Sequence, residues 1–351
     1  MKKIVGFVLL IAFWIGNAQE VTLGKVNIKK QSSFGMKKFK DADKKIFIQE
    51  FFVNYQMLYD QVAIANGGRE AGGGVRGKAK AQLVLGVQGI STEALQKITD
   101  SLYKAYTNRL IAEGFEIVTA SDMKDEAYFE DWTLLEGGKP DQAQFPGYVT
   151  TAPSGFDFYV KKVKKDGKRK NRKNVFDNGM GTSKKLGGII IARVNIAVPF
   201  LEGAESQGSR ALRKTFGGVA KVVAKTDLSI TERTSLQVQG GFALKTITLN
   251  TNATFAYKQG LKNQATLTMI PKKKIQIKGV FESKKYKAVK SGSQDLWGTD
   301  YGAITVFSAP EEALQIMQAV PCDEAKYTEG VYTAATTYLK TILDEFTQYF
   351  N

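Results

Sequence analysis

Residues 83–123, LVLGVQGISTEALQKITDSLYKAYTNRLIAEGFEIVTASDM, are the passage whose reading decides the fold. Leu83-Val84-Leu85-Gly86-Val87 reads as a buried, extended run. Ser91 or Thr92 then suits a helix cap, accepting a hydrogen bond from a backbone N–H that has no partner within the helix, and Glu93 suits the positive helix end. Leu95, Ile98, Leu102, Ala105, Tyr106 and Leu110 recur at three- and four-residue steps and predict one apolar face. Gly114 is placed to stop the helix, because a left-handed backbone costs glycine no steric penalty. Phe115 and Ile117 flank Glu116 as in a half-buried strand. This helix–strand unit is a scaffold and carries no reaction centre.

Upstream, Ile46, Ile48, Phe51 and Val53 open a β-rich segment that runs to about Tyr59. Residues 66–78 interrupt it with six glycines. Within them, Gly72 to Lys78 spells the first seven positions of a phosphate-binding loop, G-x-x-x-x-G-K. Ala79 stands where that motif needs a hydroxyl to hold magnesium, and the preceding strand is more than ten residues away. The expectation is a mobile loop and no nucleotide.

Downstream, Asp122, Asp125, Glu126, Glu130 and Asp131 read as a solvated acidic helix start, with no calcium-loop spacing. Gly137 to Gly155 carries Pro140, Pro146 and Pro153 and reads as a linker. The run Lys161, Lys162, Lys164, Lys165, Lys168, Arg169, Lys170, Arg172 and Lys173 puts nine cations into thirteen residues. Asp166-Gly167 within it is a turn signal, so the run reads as a basic hairpin tip or a disordered loop. Two roles stand for it: a solvated loop, or an electrostatic contact with an anionic polymer or membrane.

From Gly187 to Phe281 the pattern is apolar alternation with one wet face, as in Ile190, Val194, Ile196 and Val198, and predicts a mostly antiparallel sheet. Residues 291–302 bring Asp295, Trp297, Asp300 and Tyr301 into one loop. Such a set suits either a plain loop with a half-buried Trp or a glycan site, since sugars stack on aromatic faces while acids accept their hydroxyls. Ser308 and Pro310 start a short helix. The chain closes on a helix whose stripe is Val331, Ala335, Tyr338, Ile342, Phe346 and Tyr349. Cys322 reads as a small buried residue and not a nucleophile.

The fold class expected is α+β. Its divisions are a signal peptide over 1–18, a flexible lead-in over 19–44, an αβ unit over 45–136, and a linker with basic loop over 137–186. An antiparallel region over 187–307 and a helical carboxy-terminal region over 308–351 follow. The order of elements, with Gly114-Phe115-Glu116-Ile117-Val118 after a long helix and a small helix at Ser121, resembles the periplasmic α/β fold of the TolB amino-terminal domain and the curli-export (CsgG-like) proteins. The resemblance covers residues 45–125 and, more loosely, 187–307, and it rests on topology. It implies a periplasmic domain that assembles with itself or with an envelope partner. The curli-export proteins are lipoproteins that insert hairpins into a membrane. This chain has no lipobox, and its strands are studded with lysine.

Lys2 and Lys3 followed by the apolar run Ile4 to Ile15 and the small residues of Gly16-Asn17-Ala18 predict signal cleavage before Gln19. Removing residues 1–18 takes away those two lysines and lowers the net charge from +16 to +14. No later stretch reaches about 18 uninterrupted apolar residues, so no transmembrane helix is expected in the mature chain. The address is the periplasm first and the extracellular space second. The chain contains no histidine, which excludes Ser-His-Asp and Cys-His catalysis and histidine-based zinc sites. One cysteine excludes an intrachain disulfide. No catalytic residue, cofactor or metal is expected. The leading function is a non-enzymatic exported envelope protein that binds or assembles with an envelope partner. A module for glycans or lipopolysaccharide comes second, and a carboxylate-based hydrolase third.

Overall fold

The computed structural model describes residues 20–65, 68–69, 75–76, 79–172, 177–203, 219–240, 243–291 and 316–350. The class is α+β, with 45% strand, 25% helix and a carboxy-terminal helix. The principal elements of the first half are β1 (Ile28–Phe34), β2 (Lys45–Gln56), β3 (Leu58–Ala65), β4 (Ala79–Gln88), α1 (Thr92–Ala112), β5 (Glu116–Val118) and β6 (Tyr148–Thr151). Those of the second half are α2 (Met180–Lys185), β7 (Ile190–Val198), β8 (Val219–Thr226), β9 (Asn252–Gln259), β10 (Asn263–Pro271), β11 (Lys285–Ser291), β12 (Gln318–Pro321) and α3 (Glu324–Thr347).

A seven-stranded sheet runs β6-β2-β7-β9-β10-β1, with β5 on the other end of β2. β2 pairs in parallel with β7 and β5, and the remaining pairs are antiparallel. β2 therefore sits beside strands from the far half of the chain, and the expected amino-terminal unit and β region share one sheet. Every residue of β2 after Lys45 is buried, as a strand covered on both faces requires. Ile48 pairs with Ala192 and Glu50 with Arg193, leaving Gln49 as a bulged extra residue. The bulge resets the alternation. Ile46 and Ile48 before it and Phe51, Val53 and Tyr55 after it join the same apolar cluster.

Both long helices pack into that cluster. Ser91 caps α1 by accepting from the Ala94 N–H at 3.1 Å, and Gly114 follows it at φ 85°. Leu95, Ile98, Leu102, Tyr106 and Leu110 are buried, as their spacing predicts. Asp323 caps α3 in the same way at 3.0 Å to the Lys326 N–H. Its apolar stripe is buried from Val331 to Phe346, and Phe346 stacks on Phe255 with centroids 3.8 Å apart. The two helices meet where Arg109 pairs with Asp344 at 3.0 Å.

Residues 20–44, for which composition predicts a flexible lead-in, are built into the body. β1 pairs with β10, and Phe39 is buried against Phe346 and Phe350. Few apolar residues mark this stretch, and its pairing comes from a strand more than two hundred residues away. The expected linker, Gly137 to Gly155, is also packed: β6 lies within it and pairs with β2. A second layer holds β3-β4-β12 beside β8 and β11, meeting at a seam of Ala63, Ala65, Ala79, Ala81, Ala220 and Ala288. Among the described residues no helix is long and apolar enough to cross a membrane.

Candidate functional site

The charged residues of the core lie on the far side of the central sheet from the long helices. Alternation after the bulge puts Glu50, Phe52 and Asn54 on this face of β2, and register places Arg193 and Asn195 of β7 beside them. Glu50 is 3% exposed and Arg193 1%. Ions this deep cost several kcal/mol each unless they are paired and hydrogen-bonded. Both are. Arg172 donates to Glu50 from Nε at 2.8 Å and from Nη2 at 3.1 Å, and Asn195 Nδ2 adds a third bond at 3.2 Å. Arg193 donates from Nε to Gln49 Oε1 at 2.9 Å and from Nη1 to the Asp177 carbonyl at 2.8 Å. Its Nη2 lies 3.3 Å from the Asp177 carboxylate.

Burial alone pushes the Glu50 carboxyl up. The Arg172 charge and hydrogen bonds, then Arg193 and Asn195, outweigh it and hold the group below the usual carboxylate range. Burial lowers the Arg193 guanidinium, against the pull of Glu50 and Asp177. The arrangement joins Arg172 and Asp177, on either side of residues 173–176, to two core strands.

The basic run forms the hairpin its Asp-Gly step predicts. Lys162–Val163 pairs with Lys170 and Arg169, and Gly167 takes φ 77° in the turn. Its cations divide into two sets. Lys162, Lys164, Lys165 and Lys170 are exposed. Arg169 and Arg172, expected on a solvated tip, turn into the body instead. Arg169 lies over the Phe52 and Phe158 rings at 4.9 and 5.2 Å and 3.6 Å from Asp141. Each arginine finds a carboxylate or an aromatic face that composition alone does not place beside it. Lys161 pairs with Asp131 and sits 5.6 Å above Trp132, while Lys168 is 3.2 Å from Asp166. Lys173 lies outside the described residues, as do Asp295, Trp297, Asp300, Tyr301 and the glycine loop up to Lys78, apart from four of its residues.

Between hairpin and sheet a cleft of about 190 Å³ opens. The sheet contributes Phe52, Asn54, Thr150 and Asn195, and the hairpin contributes Lys164, Lys168, Arg169 and Asn171. Gln144 and Phe145 close the side. A larger cleft of about 540 Å³ lies beside β5, lined by Asp41, Asp43, Glu116 and Asp122 together with Ile117, Val118 and Met123. Lys45 pairs with Glu116 there, and Asp122 accepts from the Thr119 N–H and hydroxyl, whose bonds lower its carboxyl. The acidic stretch forms two short 3-10 turns, Ser121–Met123 and Ala127–Phe129. Among the described residues no group of three or more side chains could hold a metal ion.

Sequence reading missed Glu50, Asn54, Arg193 and Asn195. One signal was available: Glu50 interrupts the apolar run Ile46 to Tyr55, and Arg193 interrupts Ile190 to Val198. Opposite charges in two core strands need each other, or a third charge, to be buried. No family model, curated protein or solved structure matches the chain.

Proposed function

We propose that the protein is a non-enzymatic, exported cell-envelope protein that engages an anionic envelope partner through its basic hairpin. The carrying observation is the division of the hairpin's cations. Arg169 and Arg172 hold it to the sheet, while Lys162, Lys164, Lys165 and Lys170 stay exposed. A hairpin anchored in this way presents its charge without the ordering cost of a free loop. The net charge of +16 favours the same class of partner. Phosphates of lipopolysaccharide and acidic glycans are the envelope chemistries that match it. The signal-like residues 1–18 support the periplasm as the address. The absence of histidine supports a binding role over catalysis.

Vesicles containing lipopolysaccharide, against neutral phosphatidylcholine vesicles, test the reading. Replacing Lys162, Lys165 and Lys170 by serine weakens binding at least about tenfold, or roughly 1.4 kcal/mol, and flattens its salt dependence. Unchanged affinity in that variant overturns the assignment.

Assembly with a second copy has one observation in its favour. Among the described residues β1 lies at the sheet edge, and six of its seven residues are exposed. An unpaired edge offers backbone donors and acceptors to another strand. A monomeric mass by light scattering across the working concentration range removes this second form.

A further inference from the structure

We infer that the cleft beside the basic hairpin is a binding site for a single sugar unit bearing an anionic group. The inference rests on the envelope-binding reading and names its ligand class. At about 190 Å³ the cleft is smaller than the roughly 300–1,000 Å³ of pockets for drug-sized ligands and matches a single ring.

Charge sets the first requirement. Among the described residues three cations line the cleft and no carboxylate does. Lys168 and Arg169 have Asp166 and Asp141 within salt-bridge reach, and Lys164 stands exposed beside them. An anionic group at that side meets a net positive field.

Unmet hydrogen bonds set the second. Arg169 has a side chain only 9% exposed, and its Nε is buried with no partner. Asn171 Oδ1 is likewise buried with no partner. A buried donor or acceptor left without a partner is destabilising, so a ligand that satisfies it gains affinity. One is a donor and the other an acceptor, and a hydroxyl serves both because it accepts and donates. Asn171 is half-buried and lines the cleft together with Arg169. Asn195 commits its Nδ2 to Glu50, which leaves its Oδ1 to accept from a second hydroxyl.

The remaining lining supplies apolar contact. Phe145 is partly buried against the cluster of Tyr148, Ala197 and Leu249, which leaves part of its ring for the C–H face of a sugar. A bare anion meets the lysines and leaves the amide oxygens unserved. A neutral sugar does the reverse. Only a ring that carries both kinds of group answers the whole site.

The test uses the mature chain and four probes: glucuronic acid, glucose 6-phosphate, glucose and inorganic phosphate. Calorimetric or saturation-transfer titration should show both anionic sugars binding at millimolar Kd or tighter, with glucose and phosphate at least about tenfold weaker. Lys164→Gln with Lys168→Gln should weaken the anionic sugars by at least about tenfold and leave glucose unchanged. Both lysine side chains reach solvent, so the pair variant keeps the fold, which a thermal melt verifies. Asn171→Leu should weaken the sugars and leave phosphate as it was. Phosphate binding as tightly as glucose 6-phosphate makes the site a plain anion site and overturns the inference. So does the absence of anionic-sugar binding up to tens of millimolar. If lipopolysaccharide vesicles still bind through Lys162, Lys165 and Lys170 while the sugars fail, this inference falls alone. If the sugars bind and the vesicles do not, the envelope-surface reading falls and the cleft stands.

Discussion

Arg172 holds Glu50 with two hydrogen bonds, Nε at 2.8 Å to one carboxylate oxygen and Nη2 at 3.1 Å to the other. The carboxylate belongs to a central strand of the core and the guanidinium to the base of a surface hairpin. One bidentate contact thus joins the buried sheet to the surface proposed to meet a partner. Parallel N–H···O bonds fix orientation as well as distance, so the hairpin has a defined seat.

Breaking this pair from the core side should be costly. Glu50→Gln removes the negative charge that Arg172 and the 1%-exposed Arg193 share. The expected loss of stability is about 3–5 kcal/mol, the range for leaving a buried charge without its partner. Urea denaturation followed by tyrosine and tryptophan fluorescence measures it. A loss below about 1 kcal/mol means that Asp177 alone suffices for both arginines.

Acid should undo the same contact. The Glu50 carboxyl is held low in the folded protein, whereas an unfolded glutamate titrates near about 4.3. A depressed folded value means the stabilisation is complete above the unfolded value and is lost as pH falls through the folded one. Melting temperature should therefore decline steeply below about pH 4 in the parent and less steeply in Glu50→Gln. Parallel profiles for the two proteins contradict the assignment.

The hairpin's cations should separate into two kinds by mutation. Arg169→Ala removes a cation stacked on Phe52 and Phe158 and paired with Asp141, and should cost about 2 kcal/mol. Lys162→Ser, Lys165→Ser and Lys170→Ser together should stay within about 0.5 kcal/mol of the parent. Thermal melts of the two variants decide the point. Equal effects mean the whole run behaves as one surface loop.

Cys322 should resist alkylation in the folded state. Burial first, then Asp323 and Glu324, push its thiol up to about 12, so the reactive thiolate is scarce at neutral pH. Iodoacetamide at pH 8 should label the native chain far more slowly than the chain in denaturant. Equal rates would show an open, ordinary thiol.

Much of the scaffold was legible because its causes are local. Ser91, the stripe from Leu95 to Leu110 and Gly114 specify α1 within one stretch of chain. The stripe of α3 and the alternation of Ile190, Val194, Ile196 and Val198 do the same for their elements. The Asp-Gly turn placed the basic hairpin for the same reason. Residues 20–44 and 137–155 were not legible, because their strands borrow apolar partners from distant segments.

By itself the sequence determined the α+β class, the two long helices, the turn at Asp166-Gly167 in the basic run, and the absence of histidine and of an intrachain disulfide. Periodicity, capping and composition act over a few residues and need no knowledge of neighbours. Only the tertiary structure decided that Gln49 bulges, that β2 and β7 run side by side, and that Arg169 and Arg172 turn inward while four lysines stay in water. A cation's burial depends on whether a carboxylate or a ring arrives from elsewhere to offset its desolvation, and that partner is set by the fold.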